Sequence, residues 1–317
     1  MKSESQLYKK FSIGISFYRM SAEDWINVFS QYSQYINDVF FSPIESLDFQ
    51  TRRNIYNYDT QNQEFLDSQL KTVLDAAKQK GIARKIVLNV PIFIDNEETL
   101  LRAYEKYKDN YNMEYVTTFL SCAKRIKEMD STQKIICSYN QGITTHQELE
   151  RILETDVFYS IVLGTNFLRD FNAFNLIHRY KQKVELLLNN GCMPNCKSFC
   201  RLPNIYCESN FADNLSRKDI NYLYAECSTF PEEIHKHYLT SNLIDYFKLS
   251  TRPINYGGMV DMLSSYITGN SWSYIRSSVI NYNLYGRLAH FHKHYGELQY
   301  AQILNYKKEI WENLNIV

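Results

Sequence analysis

An excess of charge of either sign is missing from this chain. Thirty-five lysines and arginines face 35 aspartates and glutamates over 317 residues, for a formal net charge of zero. Nucleic-acid binders normally carry a basic excess or a basic stripe, so RNA or DNA is not the expected partner. Long apolar runs are also missing. None approaches the roughly 18 residues needed to cross a bilayer, so no membrane span is expected. The apolar stretch within MKSESQLYKKFSIGISFYRM is too short and too polar for a signal peptide, and no small-residue cleavage site follows it. A soluble, cytoplasmic protein is the expectation.

Several catalytic signatures are absent as well. There is no P-loop, no dinucleotide fingerprint, no G-x-S-x-G and no H-E-x-x-H. The residues after the first strand-like run, SFYRMSAED, contain no glycine. That counts against an open doubly wound sheet, whose first turn is normally glycine-rich. No linker, repeat or low-complexity segment divides the chain.

Hydrophobic residues make up 44% of the sequence, ample for a core. Short β-type runs alternate with longer helical patterns. The strand-like runs are Phe11–Phe17, Asp38–Phe41, Lys85–Val90, Lys134–Ser138, Val157–Leu163, Val184–Leu188, Asn221–Glu226 and Tyr246–Ser250. Between them, helices are expected at Ala22–Tyr35, Glu64–Gln79, Tyr115–Met129, Thr145–Glu154 and Ala173–Lys181. Two more are expected, one from Pro231 and one at Tyr256–Ile267. Eight such repeats predict an α/β fold, a (β/α)8 TIM-like barrel over residues 1–270. Residues 271–317 are expected as a C-terminal helical extension packed on it.

In such a barrel the active site forms at the carboxyl ends of the strands. The polar residues read there are Tyr18, Arg19, Ser42, Glu45, Asn89, Tyr139, Asn140, Gln141, Thr165, Asn166, Arg169, Asn189, Asn190, Thr251 and Arg252. Loops are polar anyway, so solvated or capping roles are the ordinary reading for most of them.

The cysteines stand apart. The stretch VELLLNNGCMPNCKSFCRLPNIYC holds Cys192, Cys196, Cys200 and Cys207 in a C-x3-C-x3-C-x6-C spacing, and Cys227 follows. The predicted order puts the first four after strand six and Cys227 at the end of strand seven. Neighbouring strands lie about 4.8 Å apart, so both segments can meet at one centre. Four thiolates suit a [4Fe–4S] cluster, with a tetrahedral zinc as the alternative. A metal-free group of thiols is the bland alternative. Spacing leaves open which four of the five thiols ligate, with Cys200 and Cys207 competing for one place. Cys122 and Cys137 fall on helical and strand patterns and are expected as small buried residues.

VELLLNNGCMPNC resembles the N-E-G-C-x-x-x-C-P segment of the collagenase-like peptidase family of unknown catalytic type. Asn190 stands where that family has an acid, and Lys197 where it has proline. IDYFKLSTRPINYGGMVDMLSSYITGN resembles the family's G-I-D-x-F-K-I-x-G-R strand and following helix. This TIM-barrel iron–sulfur family includes the anaerobic ubiquinone-hydroxylation proteins and proteins that hydroxylate tRNA or rRNA, with prephenate as the implied oxygen source. The resemblance implies a [4Fe–4S] cluster with ligands at Cys192 and Cys196, and Cys227 by position. It also implies that Lys248 and Arg252 occupy the places of the motif's lysine and arginine.

The resulting expectation is an iron–sulfur enzyme carrying out oxygen-independent hydroxylation, or a related redox modification, of a small molecule or peptide. Lys248, Arg252 and Glu45 are the candidate catalytic residues. Arg252 and Arg19 are suited to gripping a carboxylate or phosphate, and Lys248 to pairing with Glu45 or touching substrate. Ion pairing inside or around the barrel is the structural alternative for these side chains. An accessory metal-cluster subunit working with a protein partner is the second functional reading, and a peptidase the third. His290, His292 and His294 are read as lying on a helical tail, and His235 and His237 as facing different sides of a helix.

Overall fold

A computed structural model describes residues 7–17, 19–41, 63–88, 101–102, 104–108, 113–189, 225–226, 229–249, 255–270 and 297–314. Eight parallel strands close into a barrel: β1 Phe11–Gly14, β2 Ile36–Phe41, β3 Ala83–Val87, β4 Glu114–Thr117, β5 Ile135–Cys137, β6 Ser160–Leu163, β7 Lys183–Leu187 and β8 Tyr246–Leu249. Each pairs with the next, and β8 pairs with β1 through Ser12↔Lys248. The expected (β/α)8 architecture is therefore the observed one.

Two expected elements are corrected. The run from Tyr115 begins as β4 and becomes a helix, α3, only at Leu120–Met129. Its EYVT start is aromatic and β-branched, which favours a pleated, half-buried surface. The seventh strand expected at Asn221–Glu226 is not part of the barrel. Ala225 and Glu226 are helical, and β7 pairs directly with β8, leaving no place for a strand between them. The cysteine-bearing segment thus follows the seventh stave, and Cys227 does not close a neighbouring one. Cys122 in α3 and Cys137 in β5 are both buried, as their patterns required.

Helices α1 Ala22–Tyr32, α2 Gln63–Gln79, α4 His146–Leu153 and α5 Phe171–Arg179 alternate with the strands. Local sequence sets their starts. Ser21 and Asp24 form a capping box on α1, and Thr145 with Glu148 does the same for α4. Ala22, Trp25, Val28 and Phe29 give α1 one buried face at helical spacing. Helix α6 runs from Pro231–Glu233 through a π turn at Ile234–Tyr238 to Leu239–Ser241; α7 is Tyr256–Thr268 and α8 is Glu297–Asn313. Gly269 closes α7 at φ +73°, a left-handed conformation that favours glycine.

Strand alternation divides the core into two shells. Outward-facing Phe11, Ile13, Ile86, Tyr115, Ile161, Leu163, Leu186 and Phe247 pack under the helices. Inward-facing Phe40, Val87, Val116, Ile136, Val162 and Leu187 form a separate apolar ring inside the barrel.

Candidate functional site

That apolar ring is the floor beneath the carboxyl ends of the strands. Tyr139, which follows β5, packs against it. The Tyr139 ring lies over the bare Cα of Gly164, where an added Cβ would overlap its edge. Gly164→Ala is expected to push the ring off the floor and cost about 1–3 kcal/mol. A urea melt checks this, and a wild-type midpoint would show that the ring moves freely.

One pleat toward the amino ends of the same strands, the lining becomes charged. Asp38 precedes Phe40 by two residues, Lys85 precedes Val87, Glu114 precedes Val116 and Glu185 precedes Leu187. Lys85 Nζ lies 3.0 Å from Asp38 Oδ2 and 2.8 Å from Glu185 Oε2. Glu185 Oε1 takes a second ammonium, Lys248 Nζ, at 3.0 Å. Ser12 Oγ donates to Asp38 Oδ1 at 2.5 Å, and Asn37 Nδ2 donates to Oδ2 at 2.8 Å. Two carboxylates and two ammonium groups from β2, β3, β7 and β8 thus form one neutral chain across the interior.

The electrostatics follow from how the partners are shared. Burial alone would lower Lys85, but the carboxylates of Asp38 and Glu185 outweigh it and hold the ammonium above its ordinary value. Burial would raise Glu185, yet Lys248 and Lys85 together bring it down to about 2. Lys248 is lowered: burial dominates, Glu185 offsets part of it, and Lys85 repels.

Lys248 differs from the rest of the chain in place as well. It is registered beside Leu187 of the apolar ring, and its ammonium sits 4.0 Å from the centre of the Phe40 ring. Its side chain keeps 10% of its surface, against 2% for Lys85 and none for Glu185. Of the expected catalytic residues, Lys248 is the one among the described residues. It pairs with Glu185.

The rim carries two further groupings. His146 at the start of α4 meets Asp170 at 2.6 Å, while Asp170 Oδ1 caps α5 by accepting from the Ala173 N–H. An imidazole oriented by a fixed carboxylate is the arrangement of a general base, although an exposed ion pair of this kind is also ordinary on a surface. Arg169 turns inward to Glu233 on α6, with Nη2 2.7 Å from Oε1. His235 and His237 point to different neighbours: His235 Nε2 lies 2.9 Å from Tyr266 O, and His237 stacks on Trp311 at 3.8 Å.

The backbone beside β7 bears directly on the cysteines. The Thr229 N–H donates to Leu188 O at 2.9 Å, and the side chain of Asn189, buried just beyond the strand, approaches Met262 Sδ at 3.8 Å. Cys192, Cys196, Cys200, Cys207 and Cys227 lie outside the described residues, as do Glu45, Arg252, Tyr18, Ser42, Asn89, Asn190, Thr251, His290, His292 and His294. Among the described residues no group of three or more histidines, cysteines or carboxylates is placed to hold a metal ion. No described helix is long and apolar enough to cross a membrane.

The residues that sequence reading missed are Asp38, Lys85, Glu185 and Glu233. The available signal was charge inside strand-like runs: Asp38 in INDVFF, Arg84 and Lys85 in ARKIV, Lys183 and Glu185 in KVELL, and Lys248 in YFKL.

No family model and no curated protein matches the chain. Solved structures similar to it include a GH10 endoxylanase from a sugarcane soil metagenome, at 9% identity and TM-score 0.42, covering 78% of this chain and 87% of that one. Another is the tryptophan synthase A-subunit of Pyrococcus furiosus, at 11% identity and TM-score 0.39, covering 88% and 99%. Likeness at this level carries no argument, so the fold rests on the closed strand pairing itself.

Proposed function

We propose that the chain is an iron–sulfur enzyme that works at the carboxyl-end mouth of its barrel on a small molecule or peptide. The reaction class is oxygen-independent hydroxylation or a related redox modification. One observation supports this reading above the others, the hydrogen bond between the Thr229 N–H and Leu188 O. It joins the two described ends of the segment that bears the five cysteines, beside the end of β7. Cys192 is three residues past Asn189, and Cys227 two before Thr229. At 3.3–3.6 Å per residue, covalent reach from those ends is at most about 11 Å and about 7 Å. Thiols leaving from both ends can therefore share one centre without a neighbouring strand to carry either of them.

The donor set is thiolate-rich, which suits an iron–sulfur cluster or zinc. An iron–sulfur centre there would supply electron transfer, or Lewis acidity if one iron lacked a thiolate. Cys192, Cys196 and Cys227, with Cys200 or Cys207, would hold it. In this reading Lys248 presents an ammonium at the edge of the apolar floor, where it steadies an anionic substrate group and exchanges a proton with it. Arg252, three residues beyond the end of β8, would grip a carboxylate with its planar fork, and Glu45, four residues past the end of β2 in sequence, would be the acidic group of the site. The apolar ring under the mouth excludes water from below.

Purification without oxygen tests the reading. The expected result is about four irons and four sulfides per chain, falling by more than half in Cys192→Ala and in Cys196→Ala. A colourless chain with stoichiometric zinc, or iron retained in the double variant that combines Cys192→Ala with Cys196→Ala, overturns it. Casein cleavage that survives the double variant would favour the peptidase alternative.

A further inference from the structure

We infer that Lys248 is a nucleophile that captures a small aldehyde or ketone as a protonated imine inside the barrel. The inference goes beyond the iron–sulfur reading and does not rest on the cysteine segment. Every group it uses lies on β2, β3, β7 or β8. Lys248 Nζ donates to Glu185 Oε1 at 3.0 Å, its one hydrogen bond among the described residues. Glu185 Oε2 takes Lys85 Nζ at 2.8 Å, so a single carboxylate separates two ammonium groups. The Phe40 ring has its centre 4.0 Å from Lys248 Nζ, and Leu187 is registered beside Lys248 on β7. A lysine becomes nucleophilic when it is desolvated in apolar surroundings or set beside a second cation, and Lys248 meets both conditions. Burial and, less strongly, Lys85 accordingly favour its neutral amine, against the pull of Glu185.

The other two buried lysines are committed elsewhere. Lys85 lies between Asp38 and Glu185, at 3.0 and 2.8 Å, and those carboxylates hold it as an ammonium. Lys307 on α8 donates to Glu233 Oε2 at 2.6 Å and to the main-chain carbonyl of Ala225 at 2.9 Å. Lys248 alone of the three combines a single partner with a side chain that solvent still reaches. The chemistry balances without any co-reactant. The amine lone pair forms the new C–N bond, and the carbonyl C–O bond breaks. Two of the three ammonium protons leave with that oxygen as water, and Glu185 Oε1 is within reach to relay them. The third stays on nitrogen, and nothing is oxidised or reduced. The positive charge is therefore the same before and after, so the product keeps its pairing with Glu185 and its place over the Phe40 ring. Phe40 and Leu187 leave room for a compact, largely apolar carbonyl compound and shield the imine from water.

The test exposes the full chain to acetaldehyde at pH 7 and adds borohydride, which reduces an imine to a stable ethylamine. Peptide mapping by mass spectrometry then compares Lys248 with the exposed Lys308 in the same sample. Lys248 is expected to be ethylated about tenfold or more faster than Lys308. In urea-unfolded chain that advantage is expected to vanish. Lys248→Arg, which keeps the charge, is expected to lose the fast label and leave the Lys308 rate unchanged. A Lys248 rate no higher than that of Lys308 overturns the inference, and the wild-type comparison decides this whether or not the variant folds. Fast labelling that falls on Lys85 or Lys307, or that persists in urea, overturns it too. The readout needs no metal. A chain without iron that labels at Lys248 sinks the iron–sulfur reading alone, and an iron-loaded chain that does not label sinks this inference alone.

Discussion

Glu185→Leu is expected to destabilise the fold by about 3–5 kcal/mol, the cost typical of breaking a buried pair from one side. Glu185 is the shared anion of two lysines, at 2.8 Å from Lys85 and 3.0 Å from Lys248. Without it Asp38 and the half-buried Glu114 remain beside Lys85, and the Lys248 ammonium loses the carboxylate it pairs with at 3.0 Å. Lys85 still has Asp38 at 3.0 Å, so Lys248 is the group left stranded. A second change locates the damage. Adding Lys248→Met to Glu185→Leu removes the stranded cation and leaves the Asp38–Lys85 pair neutral. The double variant is expected to recover about 2 kcal/mol relative to Glu185→Leu, because an apolar replacement of a whole buried pair is often near neutral. Urea unfolding of the single and double variants measures both quantities. A double variant no more stable than Glu185→Leu would mean that lost packing, not the unpaired charge, sets the cost.

The barrel was legible because its strands are short and β-branched and alternate with helical periods, a pattern that parallel staves share. Where two periods overlap, the reading slipped. EYVT runs into TFLSCAKRIKEM, so apolar residues at helical spacing reach back to Tyr115 and disguise β4. NYLYAE has strand-like composition, yet barrel closure between β7 and β8 leaves it no partner. Composition cannot show that, because it is a fact about strand order. The charged lining is a sharper case. Lone charges inside strands were visible as residue types, but their meaning depends on Asp38, Lys85, Glu185 and Lys248 meeting across four staves. Glu185 lies 100 residues from Lys85 and 63 from Lys248. The same holds for Glu233, whose partners are Arg169, between β6 and α5, and Lys307 and Trp311 on α8. The cysteine spacing pointed to a shared centre, but its expected route through a neighbouring strand end was wrong. In the proposed reading, the hydrogen bond from Thr229 to Leu188 brings the two described ends of the segment together instead.

Two buried carboxylates should also dominate the acid limb of stability. Glu185 and Glu233 are each held at about 2, well below the ordinary carboxylate value of 4.5: burial pushes both up, and the cations beside them overcome it. A carboxyl whose folded value is depressed contributes stability that is fully present above its unfolded value. That stability is lost as pH falls through the folded one, so the window runs from about 4.5 down to about 2. Each is worth about 3 kcal/mol at neutral pH, a large part of the 5–15 kcal/mol typical of a folded domain. Glu114 opposes them, since burial raises its carboxyl and its protonation favours the fold. Lys307 acts at the other end of the scale. Burial lowers it to about 8, because Glu233 offsets only part of that cost and Arg169 repels. A depressed amine costs stability while charged, and that cost fades as pH rises from about 8 to 10.5. Urea midpoints are therefore expected to fall steeply between pH 4.5 and pH 2, and the wild-type midpoint to gain on that of Lys307→Met between pH 8 and pH 10.5. Glu233→Gln is expected to be less stable at pH 7 and to lose about half of the acid slope, and Glu185→Gln the other half. If both variants keep the wild-type slope, protons bound elsewhere control acid unfolding, and neither buried network has the electrostatic weight assigned to it.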